Sequence, residues 1–120
     1  MIVYDDENVF AKILRGDIPC TKVYEDEHVL AFEDINPQAP VHILVIPKGK
    51  YVSMTDFSEL ATAAEIVAFN RAIYKVADIK GIKEPGYRIL ANSGADSHQE
   101  VPHFHIHVFG GRMLGPMLSE

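Results

Sequence analysis

The chain has 120 residues, of which 48% are apolar, enough for one compact core and too few for two independent ones. Lys and Arg number 11 against 17 Asp and Glu, a net charge of −6 with His neutral, which argues against long nucleic acid as a partner. The one cysteine, Cys20, cannot form an internal disulfide, so an intracellular setting is expected.

The acidic opening Tyr4-Asp5-Asp6-Glu7 is unlike the basic start of a signal peptide. The apolar run Val41 to Ile46 is far shorter than the ~20 residues a bilayer span needs. No membrane association and a cytoplasmic location are therefore expected, with a single domain over residues 1–120.

Asn8 is placed to cap a first short helix carrying Val9, Phe10, Ile13 and Leu14, with Gly16 as its stop. Ile18-Pro19 forces extended chain. Lys22-Val23-Tyr24 and Val29-Leu30-Ala31-Phe32 flank the polar run Glu25 to His28 and read as a hairpin, although no Gly supplies the tightest turn. After the proline loop Asn36 to Pro40, Val41 to Ile46 is a buried third strand. Asp56-Phe57-Ser58-Glu59 fits a capping box with Asp56 as N-cap, opening one long helix that Gly81 ends. Tyr87 to Ala91 is a fourth strand, Asn92 to Glu100 a polar loop, and His103 to Phe109 a fifth strand ended by Gly110-Gly111. Helix, three strands, helix, two strands predicts an α+β fold, an antiparallel five-stranded meander covered by one long helix; the strand–helix alternation of a doubly wound sheet is absent.

On a strand, side chains alternate between faces. His103, His105 and His107 thus share one face, about 6.5 Å apart in sequence, while Phe104, Ile106 and Val108 point into a core. Imidazoles supply nucleophilic nitrogens and donors near neutral pH. A metal site is the rival reading, although no Cys pair lies nearby and a carboxylate ligand would have to come from Asp96 or Glu100. The preceding loop, with Ser93, Gly94, Ser97 and Gln99, offers donors suited to a phosphate, or is only a solvated connection. His42, at the start of the third strand, is either a satisfied structural histidine or a further member of the site.

His103-Phe104-His105-Ile106-His107-Val108-Phe109 resembles the signature of the histidine triad family. The likeness extends to Ala31 through Lys48, to Phe10-Ala11-Lys12-Ile13 with Gly16-Asp17-Ile18-Pro19, and to Gly110-Gly111-Arg112 with Gly115-Pro116-Met117, which is similar to the bacterial branch. It covers nearly the whole chain. It implies a homodimer whose protomers join their sheets into a continuous ten-stranded one, and hydrolysis of purine nucleoside phosphoramidates through a nucleotidyl-histidine. Under it His105 is the nucleophile, His103 orients it through its backbone carbonyl, His107 holds the phosphoryl oxygens, and His42 helps relay a proton. Asp34 would bind ribose hydroxyls, and Phe10, Ile13, Ile18, Phe32 and Ile35 the base. Asn92, Gln99 and Val101 would lie around the phosphate. Many animal members carry Ser where this chain has Glu100, and an ionised carboxylate cannot donate to phosphate; it contacts the leaving amine or points away. Some bacterial relatives hold a structural zinc on Cys ligands; with Cys20 alone, no metal and no cofactor are expected here. A related dinucleoside polyphosphate hydrolase, and a nucleotide-binding regulatory or scaffold protein with weak activity, are the alternatives. The apolar tail Met113, Leu114, Met117 and Leu118 needs a cover, which the homodimer would supply.

Overall fold

The computed structural model describes residues 3–117; Leu118, part of the tail considered above, lies outside them. Helix α1 (Val9–Leu14) begins where Asn8 accepts the Ala11 N–H at 2.9 Å, and Gly16 leaves it at a φ of 84°. Strands β1 (Lys22–Glu25) and β2 (Val29–Glu33) form the expected hairpin. Asp26 supplies the turn in place of a glycine, its carboxylate accepting the N–H groups of His28 and Val29 at 2.8 and 2.9 Å. Strand β3 (Val41–Pro47) follows, then helices α2 (Met54–Leu60) and α3 (Ala63–Ile79), strand β4 (Arg88–Leu90) and strand β5 (Ile106–Gly110).

Three expectations need correction. The long helix is two helices, because the sequence carries two capping boxes. Ser53 is the first N-cap and Asp56 its N3 partner, not the cap, with the Asp56 carboxylate accepting the Ser53 N–H at 2.7 Å. Ala61 then turns extended and Thr62 starts α3 with Glu65. The strand order is β1-β2-β3-β5-β4, so the chain meanders only through β3. The α2–α3 crossover carries β4 one place beyond β3, and β5 fills the gap antiparallel to both. Finally, His103 and His105 precede the paired part of β5. Its ladder with β3 ends at Val45 opposite Ile106, two residues before Pro47, which has no N–H to give. The Phe104 N–H instead donates to the Tyr51 carbonyl at 2.7 Å.

Alternation survives that break and divides the protein into two layers. Val29, Ala31, Ile43, Val45, Phe104, Ile106 and Val108 pack under α2 and α3. Leu30, Phe32, Leu44 and Ile46 pack on the other side with Phe10 of α1. Strands β2 and β3 are buried on both faces, which explains their nearly unbroken apolar runs. The histidines fall on the thinner α1 side, where one short helix leaves room for a cavity. No helix among the described residues is long and apolar enough to cross a membrane.

Candidate active site

A cavity of about 580 Å³ opens on the α1 face. That suits a ligand of nucleotide size. Phe10, Ile13, Ile18, Phe32, Asp34, Ile35, Asn92, Glu100, Val101, His105 and His107 line it. Ile35 is almost wholly exposed, so it forms an apolar lip, whereas Phe10 and Phe32 are buried and belong to core and wall together. Ser97, one of the donors the polar loop was expected to offer, lines it too, and so do Val9, Pro19, Cys20, Glu33, Leu44 and His98.

His105 reaches the cavity from the stretch just before β5. Its Nδ1–H donates to the His103 carbonyl at 2.7 Å. A carbonyl only accepts, so the proton is on Nδ1 and Nε2 keeps its lone pair. The Phe10 ring meets the imidazole edge-on at 5.0 Å between centroids. His103 itself is 0% exposed and stands behind the cavity wall, not in it. Its Nε2–H donates to the Pro47 carbonyl at 2.8 Å, and the Tyr4 hydroxyl meets its Nδ1.

His107 and His42 form a second unit. The Gln38 N–H donates to His42 Nδ1 at 3.1 Å, so a neutral His42 carries its proton on Nε2. That Nε2 lies 2.9 Å from His107 Nδ1 and 3.4 Å from Asp34 Oδ2. The proton of His107 is then on Nε2, the nitrogen not turned toward His42. Asp34 is held by the Asn36 N–H on its other oxygen at 2.8 Å, and Phe109 stacks parallel to His107. His42 is buried behind His107 and does not line the cavity.

Burial depresses all four imidazoles below their ordinary value of 6.5. His103 falls to about 4, and so does His107, on which the neighbouring His105 and His42 act in the same direction. Asp34 opposes the effect at His42, and the His103 carbonyl opposes it at His105. All four are therefore uncharged at neutral pH, each with one N–H, and His105 Nε2 is a free nucleophile.

A metal held by all three triad histidines does not fit this arrangement. Both ring nitrogens of His103 are engaged away from the cavity, and Nδ1 of His105 is bonded to backbone. Asp34, His42 and His107 do bring ligand-type atoms within 4.8 Å of one another. The 2.9 Å between His42 Nε2 and His107 Nδ1 is a hydrogen bond, made by the one proton on His42 Nε2, and the Asp34 carboxylate stands 3.4 Å from that nitrogen.

Gln99 departs from its expected place beside phosphate. It accepts the Gly94 N–H at 2.9 Å and donates to the carbonyls of Val52 and Val101 at 2.7 and 3.0 Å. It is the clasp of the 94–101 loop, with its polar atoms occupied there, and it does not line the cavity. Tyr4, Gln38 and Pro47 were missed. The last two act through main-chain groups, which carry no sequence signal, and Tyr4 acts across 99 positions of chain.

The model of the HIT domain matches residues 15–114. A HIT-like protein of Azospirillum brasilense is 67% identical over 117 residues, covering 98% of this chain and 96% of its own length. A purine nucleoside phosphoramidase of Escherichia coli is 45% identical over 117 residues, covering 95% of each. Among solved structures, a HIT family hydrolase from Clostridium thermocellum superposes with a TM-score of 0.87 at 41% identity, covering 96% of this chain and 99% of that one. A histidine triad protein from Clostridium difficile gives 0.83 at 41% identity, over 97% and 100%. With the histidines arranged as above and these likenesses running nearly end to end, the chain belongs to the histidine triad, or HIT domain, family of hydrolase-like proteins.

Proposed function

We propose that the protein hydrolyses the P–N bond of purine nucleoside 5′-phosphoramidates. The observation that carries this reading is the bare, unprotonated Nε2 of His105 on the cavity wall, its ring held by Nδ1–H on the His103 carbonyl. Attack by Nε2 on phosphorus forms the P–N bond to histidine and breaks the one to the amine. The amine departs with a proton taken up from solvent and handed through the His42–His107 pair, which is neutral at rest; Asp34 offsets the charge the pair carries during the transfer. Water then attacks phosphorus, its proton returns to solvent, His105 leaves, and nucleoside monophosphate is released. The Nε2–H of His107 serves the phosphoryl oxygens. Phe10, Ile13, Ile18, Phe32 and Ile35 take the base, and Asp34 the ribose.

Charge favours phosphoramidates over dinucleoside polyphosphates. The cavity lining includes Glu33, paired with Lys80 at 2.8 Å, together with Asp34 and Glu100, and no Lys or Arg among the described residues. A chain of phosphates would meet more repulsion from Asp34 and Glu100 than one phosphoryl group with an amine. A panel of adenosine and guanosine phosphoramidates with varied amines, run beside diadenosine polyphosphates, tests this. Efficiency at least ~100-fold higher on the phosphoramidates is expected. Comparable rates would return the polyphosphate hydrolase, and tight binding of nucleoside monophosphate without turnover of any substrate would return the regulatory binder.

We also propose a homodimer in cytoplasm. Ile66, Val67 and Tyr74 on α3 are exposed, as are Tyr87 and Ile89 around β4, whose outer edge pairs with nothing among the described residues. An unpaired edge and exposed apolar side chains of this kind fit a symmetric partner. Met113 and Met117 of the tail are exposed as well. Sedimentation at micromolar concentration should give twice the 13.4 kDa chain mass, and a monomer alone would refute the dimer.

A further inference from the structure

We propose that Tyr4 is a positioning residue for the nucleophile, holding His103 in the one tautomer and ring orientation that present its carbonyl to His105. His103 is fully buried and must satisfy two ring nitrogens. Pro47 offers only a carbonyl, so His103 Nε2 must donate, as it does at 2.8 Å. Nδ1 is then a buried acceptor and needs a donor. Its partner is the Tyr4 hydroxyl, whose ring also meets the imidazole edge-on at 5.6 Å. Burial raises the phenol above its ordinary 10.0, so it keeps the proton it donates.

The segment around Tyr4 is itself anchored. Asn8, the α1 cap, donates to the Asp5 carbonyl at 2.8 Å. Arg15 donates to the Asp6 carbonyl at 2.6 Å, and Lys50 pairs with the Asp6 carboxylate at 2.8 Å. A continuous line thus runs from the N-terminal segment through Tyr4 and His103 to His105 Nδ1. The titratable and charged groups facing this line are His105 and Asp56 at the His103 end, and Asp6, Lys50 and Arg15 at the Tyr4 end.

The kinetic arm of the test rests on the phosphoramidase reading, whereas the spectroscopic arm does not. In ¹⁵N-histidine NMR of the intact protein, His103 should show a protonated Nε2 and a bare Nδ1, and should stay unprotonated down to about pH 4. In Tyr4→Phe the ring remains but the donor is gone. The His103 Nδ1 signal should shift, and protonation should begin at higher pH because the neutral form has lost its partner. Turnover should fall about tenfold in kcat with KM within about twofold, and the acid limb of kcat should move to higher pH. The opposite tautomer of His103 in the wild type would overturn the proposal without need of a variant. A Tyr4→Phe protein whose His103 signals and pH profile overlay the wild type, with only a lower melting temperature, would make Tyr4 a packing residue. If no phosphoramidate is turned over by the wild type, the functional reading fails while the NMR result still decides the role of Tyr4.

Discussion

His105→Ala is expected to reduce phosphoramidate turnover by ~10⁴-fold or more, the largest effect of any single change in the protein. Alanine offers no atom to form the bond to phosphorus, and neither of the other two triad histidines can substitute. His103 is sealed behind the wall, and Nδ1 of His107 is turned to His42. Binding of nucleoside monophosphate should weaken far less, because the base and ribose contacts are elsewhere in the cavity. A rapid-quench experiment on the wild type should trap nucleotide on His105 and find none in the variant. Wild-type kcat/KM should fall at acid pH, since a protonated Nε2 cannot attack. Burial lowers the His105 pKa below 6.5, so that fall is expected below pH 6.5 rather than at it. A His105→Ala protein with near-normal turnover would end the proposed mechanism.

Phe104→Ala should cost ~3–5 kcal/mol of stability and lower the melting temperature by about 10–20 °C. Phe104 is 1% exposed and sits between Phe57 of α2 and Phe69 of α3, with ring centroids 4.9 and 5.0 Å away. Removing the ring leaves a cavity among three elements that cannot readily collapse, because Phe57 and Phe69 are themselves held by each other. The same residue separates His103 from His105 in the chain. Its N–H bond to the Tyr51 carbonyl fixes the backbone on which both histidines stand. Thermal melts of the two proteins decide this, and a loss under about 1 kcal/mol would show that the aromatic cluster is not a rigid part of the core.

Much of the site was legible because strand alternation is a strictly local rule. Knowing only that His103, His105 and His107 alternate with Phe104, Ile106 and Val108 was enough to place the two sets on opposite faces, and the structure keeps them there although the ladder begins at Ile106. The α1 cap at Asn8 and the stops at Gly16 and Gly81 were equally local. The long helix misled because its apolar spacing runs on past Ala61, and periodicity does not register a change of helix axis. The second capping box, Thr62 with Glu65, was the signal that could have revealed the break.

The remaining differences involve groups distant in sequence. The place of β5 between β3 and β4 depends on how far a helical crossover carries the chain, which no local pattern states. Gln99 was read as a phosphate neighbour because its loop is polar, yet its amide found the carbonyls of Val52 and Val101 first. By itself the sequence determined that three imidazoles share one face, that an apolar layer lies beneath them, and that a polar loop precedes them, because side-chain direction on extended chain follows from position alone. Only the tertiary structure decided which nitrogen of each imidazole bears the proton. That choice is made by the carbonyls of Pro47 and His103, the N–H of Gln38 and the hydroxyl of Tyr4, groups brought together from distant parts of the chain. The physical reason is that a neutral imidazole has one donor and one acceptor, and burial makes it obey whichever partners folding supplies.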